Sequence, residues 1–209
     1  ALASMIRKTY VGISEKRINR VLQSCEVKQL TTRDKKVAPT AHNVACRRDY
    51  CWQIDMFQFK PVNILQDKGT HVLTIIDVFS RFIWTFPVKW TGGSRPPTQR
   101  GFKLVTGLLE NLFKLHGAPC VLHGDGAFKN AVTELLCERW GVKLQTGTPY
   151  TPTGQAHVER VQRTLQRQMS AILYSKESKE WKDHLLDVTF SYNVCTHSST
   201  KRPPFHVYR

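Results

Sequence analysis

The order of apolar runs predicts an α/β chain, a mixed five-stranded sheet flanked by helices. Three observations predict it. Three strand-like runs come first, between residues 50 and 88. Short buried strands then alternate with helical patterns up to residue 145. Two amphipathic helical patterns follow, over 155–173 and 181–195. Strands that pair directly, followed by strands separated by helices, require a sheet with both antiparallel and parallel neighbours, covered on its faces by the helices.

Each element has a local reason. Ser14 is a candidate N-cap for a short helix over 14–24, with Ile18, Val21 and Leu22 on one face. Residues 28–48 are polar, basic and poor in large apolar side chains, the texture of a linker. From Tyr50 to Phe59 the run is aromatic and strand-like. Val72–Asp77 is a second strand, Phe79-Ser80-Arg81 a turn, and Phe82–Val88 a third strand antiparallel to the second. The run 92–97 is a Gly- and Pro-rich loop. Over 98–116, Phe102, Val105, Leu108, Leu109, Leu112 and Phe113 recur at helical spacing, and Gly117 ends the helix. Pro119–Leu122 is a short buried strand that stops at His123-Gly124-Asp125-Gly126. A helix over 130–140 closes at Gly141, and 142–145 is the fifth strand. The run 147–154 is a loop before the long helix.

Composition narrows the partners. The 209 residues carry 31 Lys+Arg against 16 Asp+Glu, a formal charge of +15. Residues 1–50 hold +7 of it, and the rest is spread over the remaining chain. That favours a folded surface meeting a polyanion, nucleic acid before acidic membrane. With 41% hydrophobic residues the chain can bury a core, which excludes disorder as its main state. No apolar run approaches the roughly 18–20 residues of a membrane span. Ala1–Met5 has no charged region leading into an apolar one, so no signal peptide is expected. The six cysteines, at 25, 46, 51, 120, 137 and 195, form no Cys-x-x-Cys pair and have no His at zinc spacing. They read as reduced thiols of an intracellular protein.

Three carboxylates sit where chemistry could use them. Asp55 lies in the first strand, out of phase with Trp52, Ile54 and Met56. Asp125 follows the fourth strand between two glycines that would let backbone approach a ligand. Glu159 opens the long helix. Three carboxylates on converging elements make an all-oxygen site suited to Mg²⁺ or Mn²⁺. Two such ions about 4 Å apart can hold the attacking and leaving oxygens of an in-line displacement at phosphorus. Spacing alone leaves the alternative that each carboxylate is a cap or ion-pair partner. The helix has an apolar stripe of Val158, Val161, Leu165, Met169 and Ile172. Its opposite face carries Gln155, Glu159, Gln162, Arg163 and Gln166, suited to metal at one end and nucleic-acid backbone along the rest. An ordinary solvated face with a Glu159–Arg163 ion pair is the other reading.

Six motifs in order resemble the integrase catalytic core of retroviruses, Gypsy-class retrotransposons and their domesticated or DNA-transposon relatives. Trp52-Gln53-Ile54-Asp55 is similar to that family's first-strand motif, and Ile76–Phe82 to its hairpin. His116–Pro119 and His123–Asn130 resemble its central stretch, and Pro149–Pro152 through Val158-Glu159-Arg160 its long-helix motif. Trp181, Tyr192-Asn193, His197-Ser198-Ser199 and Pro204-Phe205 are similar to its closing segment. The resemblance covers about residues 45–209. It implies an RNase H-like fold, with Asp55, Asp125 and Glu159 at the D,D,E positions, both catalytic and metal-binding, and Asp77 structural. It implies two Mg²⁺ or Mn²⁺ ions, element-end and target DNA as partners, 3′-end processing and strand transfer, a homo-oligomer, no membrane, and nuclear action. Gln155, Arg163 and Gln166 on the helix, with Arg160, Lys129 and Tyr150 in the motifs beside the carboxylates, are the candidate DNA contacts.

Departures from the family shape a second expectation. Asp125 and Glu159 are separated by 33 residues, two fewer than usual, because the Asp125-Gly126-Ala127-Phe128 turn is short. Ala156 stands where Gly is common. Residues 1–30 resemble the end of the family's zinc-binding domain, but Lys28 replaces the second Cys after Cys25 and no zinc is expected. The layout is then a remnant over 1–30, a basic linker over 31–48 and a core over 49–209. A domesticated, non-catalytic DNA-binding module is the alternative to an active transferase, and a purely hydrolytic nuclease is a third.

Overall fold

The computed structural model describes residues 45–59, 70–89, 99–146, 155–176 and 180–209, with a few positions between 14 and 21. Its sheet has the order β3-β2-β1-β4-β5. Strand β1 is Cys51–Phe57, β2 is Thr70–Asp77, β3 is Ile83–Lys89, β4 is Val121–Gly124 and β5 is Lys143–Thr146. The first three pair antiparallel, with Asp55 opposite Thr74 and Ile75 opposite Trp84. On its other side β1 pairs parallel with β4, and β4 with β5. Helix α1 is Gln99–His116, α2 Ala131–Trp140, α3 Ala156–Ser175, α4 Trp181–Val194 and α5 Pro204–Tyr208. The expected mixed five-stranded sheet with flanking helices is thus the observed architecture.

Alternation along β1 and β2 feeds two cores. Trp52, Ile54, Leu73 and Ile75 point to one face and pack with Val105, Leu109, Leu112 and Phe113 of α1 and Leu136 of α2. The Trp52 ring lies 4.6 Å from Trp84 and 5.8 Å from Phe113, centroid to centroid. Val72 and Ile76 point the other way, with Ile83, against Val158, Val161, Leu165 and Met169 of α3 and Leu185 and Val188 of α4. A sheet covered on both faces explains why Val72–Ile76 reads as a nearly continuous apolar run.

Helix ends follow their local chemistry. Asn130 caps α2 by accepting from the Thr133 N–H at 3.1 Å, and Gly141 ends it in the left-handed region at φ 65°. Near the start of the chain, Ser14 Oγ accepts from the Arg17 N–H at 3.3 Å, as an N-cap does. Most of the helix expected over 14–24, the linker 31–48 apart from its last residues, and the loops 92–97 and 147–154 lie outside the described residues.

Three features differ from expectation. Strand β4 does not stop before His123. It runs through Gly124, because His123 pairs with Gln53 of β1 and Gln145 of β5. The short helix α5 was not foreseen by periodicity, since five residues hold too little of it. Tertiary contacts hold it instead: the Tyr208 ring stacks 4.8 Å from Phe82, and its hydroxyl donates to Asp49 at 2.9 Å. Asn193 at the end of α4 is buried and clamps the first residue of β3, accepting from the Ile83 N–H and donating to the Ile83 carbonyl, both at 2.9 Å. These are backbone groups of a sheet edge, which would otherwise be unpaired.

Candidate active site

Parallel pairing brings the two aspartates together. Gln53 is directly opposite His123, and Asp55 and Asp125 lie two residues further on their chains. Asp125 keeps extended backbone (φ −77°, ψ 176°), so the period of two carries both carboxylates toward the α3 side of the sheet. There the face is polar. Gln53 Oε1 accepts from the Val158 N–H at 3.2 Å, fixing the first turn of α3 over β1. Gln162, one turn on, donates from Nε2 to Asp55 Oδ2 at 2.8 Å. Glu159 lies three residues before Gln162 and so on the same side of α3.

Asp55 is half-buried, and burial pushes its carboxyl up to about 6. The charges of Asp125 and Glu159 push the same way, while the Gln162 amide and the Met56 N–H, at 2.8 Å, oppose the shift. Asp125 and Glu159 are both exposed. The three carboxylates are therefore electrostatic neighbours on three different elements, the condition that makes a cation welcome. They do not form a finished cage: among the described residues no group of three His, Cys, Asp or Glu side chains is gathered to hold a metal. Two of the carboxylates are tied by hydrogen bonds. Asp125 Oδ1 caps its own turn, accepting from the Ala127 N–H at 3.0 Å, and Asp55 Oδ2 is held by Gln162. A carboxylate oxygen has a second lone pair, so neither tie removes a ligand. The donor set, all carboxylate oxygen, is the kind that suits a hard divalent ion, and Asp55, Asp125 and Glu159 are the residues that could hold one.

Of the two glycines around Asp125, Gly126 has open space where a Cβ would stand, whereas Gly124 has a packing reason. A Cβ on Gly124 would lie 3.0 Å from three side-chain atoms of Phe128. Gly124 therefore admits the buried Phe128 ring, and through it the short Gly126–Phe128 turn, instead of a ligand. Asp77, by contrast, is structural as anticipated. It is fully buried in the hairpin and accepts from the Ser80 N–H at 2.8 Å and the Asp49 N–H at 3.0 Å.

The candidate DNA contacts separate. Arg160, Arg163 and Lys129 are exposed, and Gln155 and Gln166 half-buried, while Tyr150 lies outside the described residues. Arg163 donates from Nε to the Glu159 main-chain carbonyl at 3.4 Å, and no Glu159–Arg163 carboxylate pair forms among the described residues. Gln162 is the residue that periodicity misplaced. Its position beside Val158, Val161 and Leu165 turns it inward, where it is 9% exposed. A polar residue bordering the apolar stripe, with no partner in its own helix, was the available signal. His123 was likewise unassigned. It is buried on the same face as Gln53, its Nδ1 has no partner among the described residues, and burial lowers its pKa, which keeps it neutral.

This strand order, with helices over both faces of a mixed five-stranded sheet, is the RNase H-like fold of the integrase catalytic cores among the solved structures below. The comparisons agree. The Pro-Pol polyprotein of simian foamy virus type 3 (strain LK3) is 28% identical over 136 residues, 64% of this chain and 11% of that protein. The Pol polyprotein of Radiation murine leukemia virus (strain Kaplan) is 26% identical over 176 residues, 82% of this chain and 28% of that one. This chain thus spans little more than a quarter of those relatives at most. Among solved structures, the HTLV-2 integrase catalytic core domain in complex with magnesium has a TM-score of 0.61 at 14% identity, covering 79% of this chain and all of that one. The catalytic core domain of BIV integrase scores 0.57 at 20% identity, covering 77% and 93%. A chain of the simian T-cell lymphotropic virus intasome scores 0.68 at 16% identity, covering 95% and 68%. No family model matches the chain. The described core has the fold of retroviral integrase catalytic cores, and its sequence is related to retroviral Pol polyproteins.

Proposed function

We propose that this chain is a DNA integrase-type polynucleotidyl transferase, dependent on Mg²⁺ or Mn²⁺, that processes the 3′ ends of an element's DNA and joins them to target DNA. The observation that carries the reading is Asp55, half-buried beneath α3 and held by Gln162 at 2.8 Å, beside the β4 end that bears Asp125 and on the side of α3 that bears Glu159. When bound, two divalent ions would supply the positive charge that a displacement at an anionic phosphorus requires. Asp55, Asp125 and Glu159 would hold them. Gln162 orients Asp55 and keeps it more acidic than burial alone would. The Asp125 turn presents its carboxylate at the rim, and exposed Arg163, Arg160 and Lys129 with Gln155, Gln166 and Tyr150 would bind the backbone.

Residues 49–209 would carry this activity, with 1–30 a remnant that binds no zinc and 31–48 a basic linker. Element ends and target DNA are the partners, and a homo-oligomer working in the nucleus is the expected form, in line with the intasome, trimeric and dimeric structures among the neighbours. Among the described residues no helix is long and apolar enough to cross a membrane. The test is labelled terminal DNA incubated with Mn²⁺ or Mg²⁺ and either the natural chain or Asp125→Asn. Processed and joined products from the natural chain alone support the reading, and equal product from both overturns it.

The short Asp125-Gly126-Ala127-Phe128 turn, and Lys28 in place of the second Cys after Cys25, favour a second reading, a non-catalytic DNA-binding module that kept the fold. Metal-independent DNA binding with no strand cutting or joining would select it.

A further inference from the structure

A cleft of about 280 Å³ opens on a different flank of α3, between the β2–β3 turn and the segment after α4. Arg81, Arg160, Tyr192, His197, Ser198 and Ser199 face it. None of Asp55, Asp125, Glu159 or Gln162 lines it, and among the described residues no carboxylate does.

Arg81 is the informative residue. Its backbone is left-handed, at φ 67°, where glycine or asparagine is the usual choice. The turn itself makes no use of the guanidinium: its hydrogen bond is the Arg81 N–H to the Asp77 carbonyl at 2.9 Å, which a glycine would make equally. The side chain is drawn inward, and its Nη1 is buried with no hydrogen-bond partner among the described residues. Burial lowers the Arg81 pKa; Tyr192 opposes the shift, Arg160 adds to it, and Asp77 opposes it in turn. Asp77, the nearby carboxylate, is already taken by Ser80 and Asp49. The fold therefore spends backbone strain and desolvation to hold two like charges beside hydroxyls and an imidazole. Donors without an acceptor anion are the chemistry of an oxyanion site.

We propose that this cleft binds one phosphate of the DNA backbone, with Arg81 and Arg160 as its charged donors. The phosphate belongs to DNA and not to an acidic protein segment for a positional reason: Arg160 directly follows Glu159 on α3. A strand lying across the carboxylates would pass the cleft mouth, which anchors it off the reacting bond. The assignment rests on the DNA reading above.

The test is the salt dependence of duplex binding by the full chain, read by fluorescence anisotropy, for the natural chain, Arg81→Gly and Arg81→Lys. Each neutralised phosphate contributes about −0.9 to the slope of log K against log salt. Arg81→Gly should lose about one such increment while melting no lower than the natural chain, because glycine relieves the left-handed strain. Arg81→Lys should retain most of the slope. A structural arginine would behave oppositely, lowering the melting temperature without altering the slope. Unchanged slope in Arg81→Gly, with DNA still bound, overturns the cleft and leaves the DNA reading standing. Failure of the natural chain to bind DNA overturns both. Displacement of DNA by poly-glutamate but not by phosphate at equal ionic strength, dependent on Arg81, would give the cleft to an acidic protein and also overturns the proposal.

Discussion

Replacing Asp55 by Asn should stabilise the protein at neutral pH while abolishing activity. The carboxyl has a folded pKa of about 6 against an ordinary value of 3.8. A raised carboxylate pKa means the folded state holds the proton more tightly than the unfolded chain. Stability from this group is therefore complete below about pH 4 and falls as pH rises through 6. The shift is about two pH units, which corresponds to about 3 kcal/mol lost by pH 8. Asn carries no charge and avoids that loss. It can still accept from Gln162, but its amide cannot also accept from the Met56 N–H, which returns about 1 kcal/mol. A net gain of about 2 kcal/mol corresponds to about 4–8 °C in Tm for a domain of this size. Thermal melts of both proteins at pH 4 and pH 8 without divalent ions would measure it. At pH 4 Asp55→Asn should melt slightly lower, from the loss of about 1 kcal/mol with the Met56 hydrogen bond, and at pH 8 it should melt higher. Added Mg²⁺ should raise only the natural chain. Parallel melts across the pH range, or a less stable Asp55→Asn at pH 8, would refute the electrostatic account of the site.

Two other substitutions probe the supports. Gln162→Leu removes the hydrogen bond that opposes the burial shift, so the acid limb of the pH–activity profile should move to higher pH. An unchanged limb would show that Gln162 does not tune Asp55. Asn193→Ala leaves both main-chain groups of Ile83 unpaired beneath α4. At about 1–3 kcal/mol for each of the two orphaned groups, urea unfolding should show about 2–6 kcal/mol of destabilisation. A loss below about 1 kcal/mol would mean that water or the backbone replaces the clamp.

Much of the fold was legible because sheet and helix periods differ. Trp52 and Ile54 alternate with Gln53 and Asp55, and α3 repeats Val158, Val161 and Leu165, so each element declares its buried side locally. Legibility ended where partners are distant in sequence. Gln162 looks like a surface amide until the 107-residue separation from Asp55 is closed. Asn193 looks like a helix-end residue until β3 lies against it. Gly124 invited a ligand-approach reading because its actual neighbour, Phe128, is set by how the turn folds back. Arg81 read as part of a turn, and only the packing of α3 and α4 made it a wall of a cleft.

The sequence by itself determined the element order, the two amphipathic helices, the basic surface and the identities of three separated carboxylates. These depend on composition and on spacing within one element. The tertiary structure alone decided which face each polar group meets. It set Asp55 under α3 within reach of the charges of Asp125 and Glu159, and it left Arg81 strained beside Arg160. A pKa, a clamp or a cleft arises from desolvation and charge at short distance, and those distances exist only after β1, β4, α3 and α4 have packed.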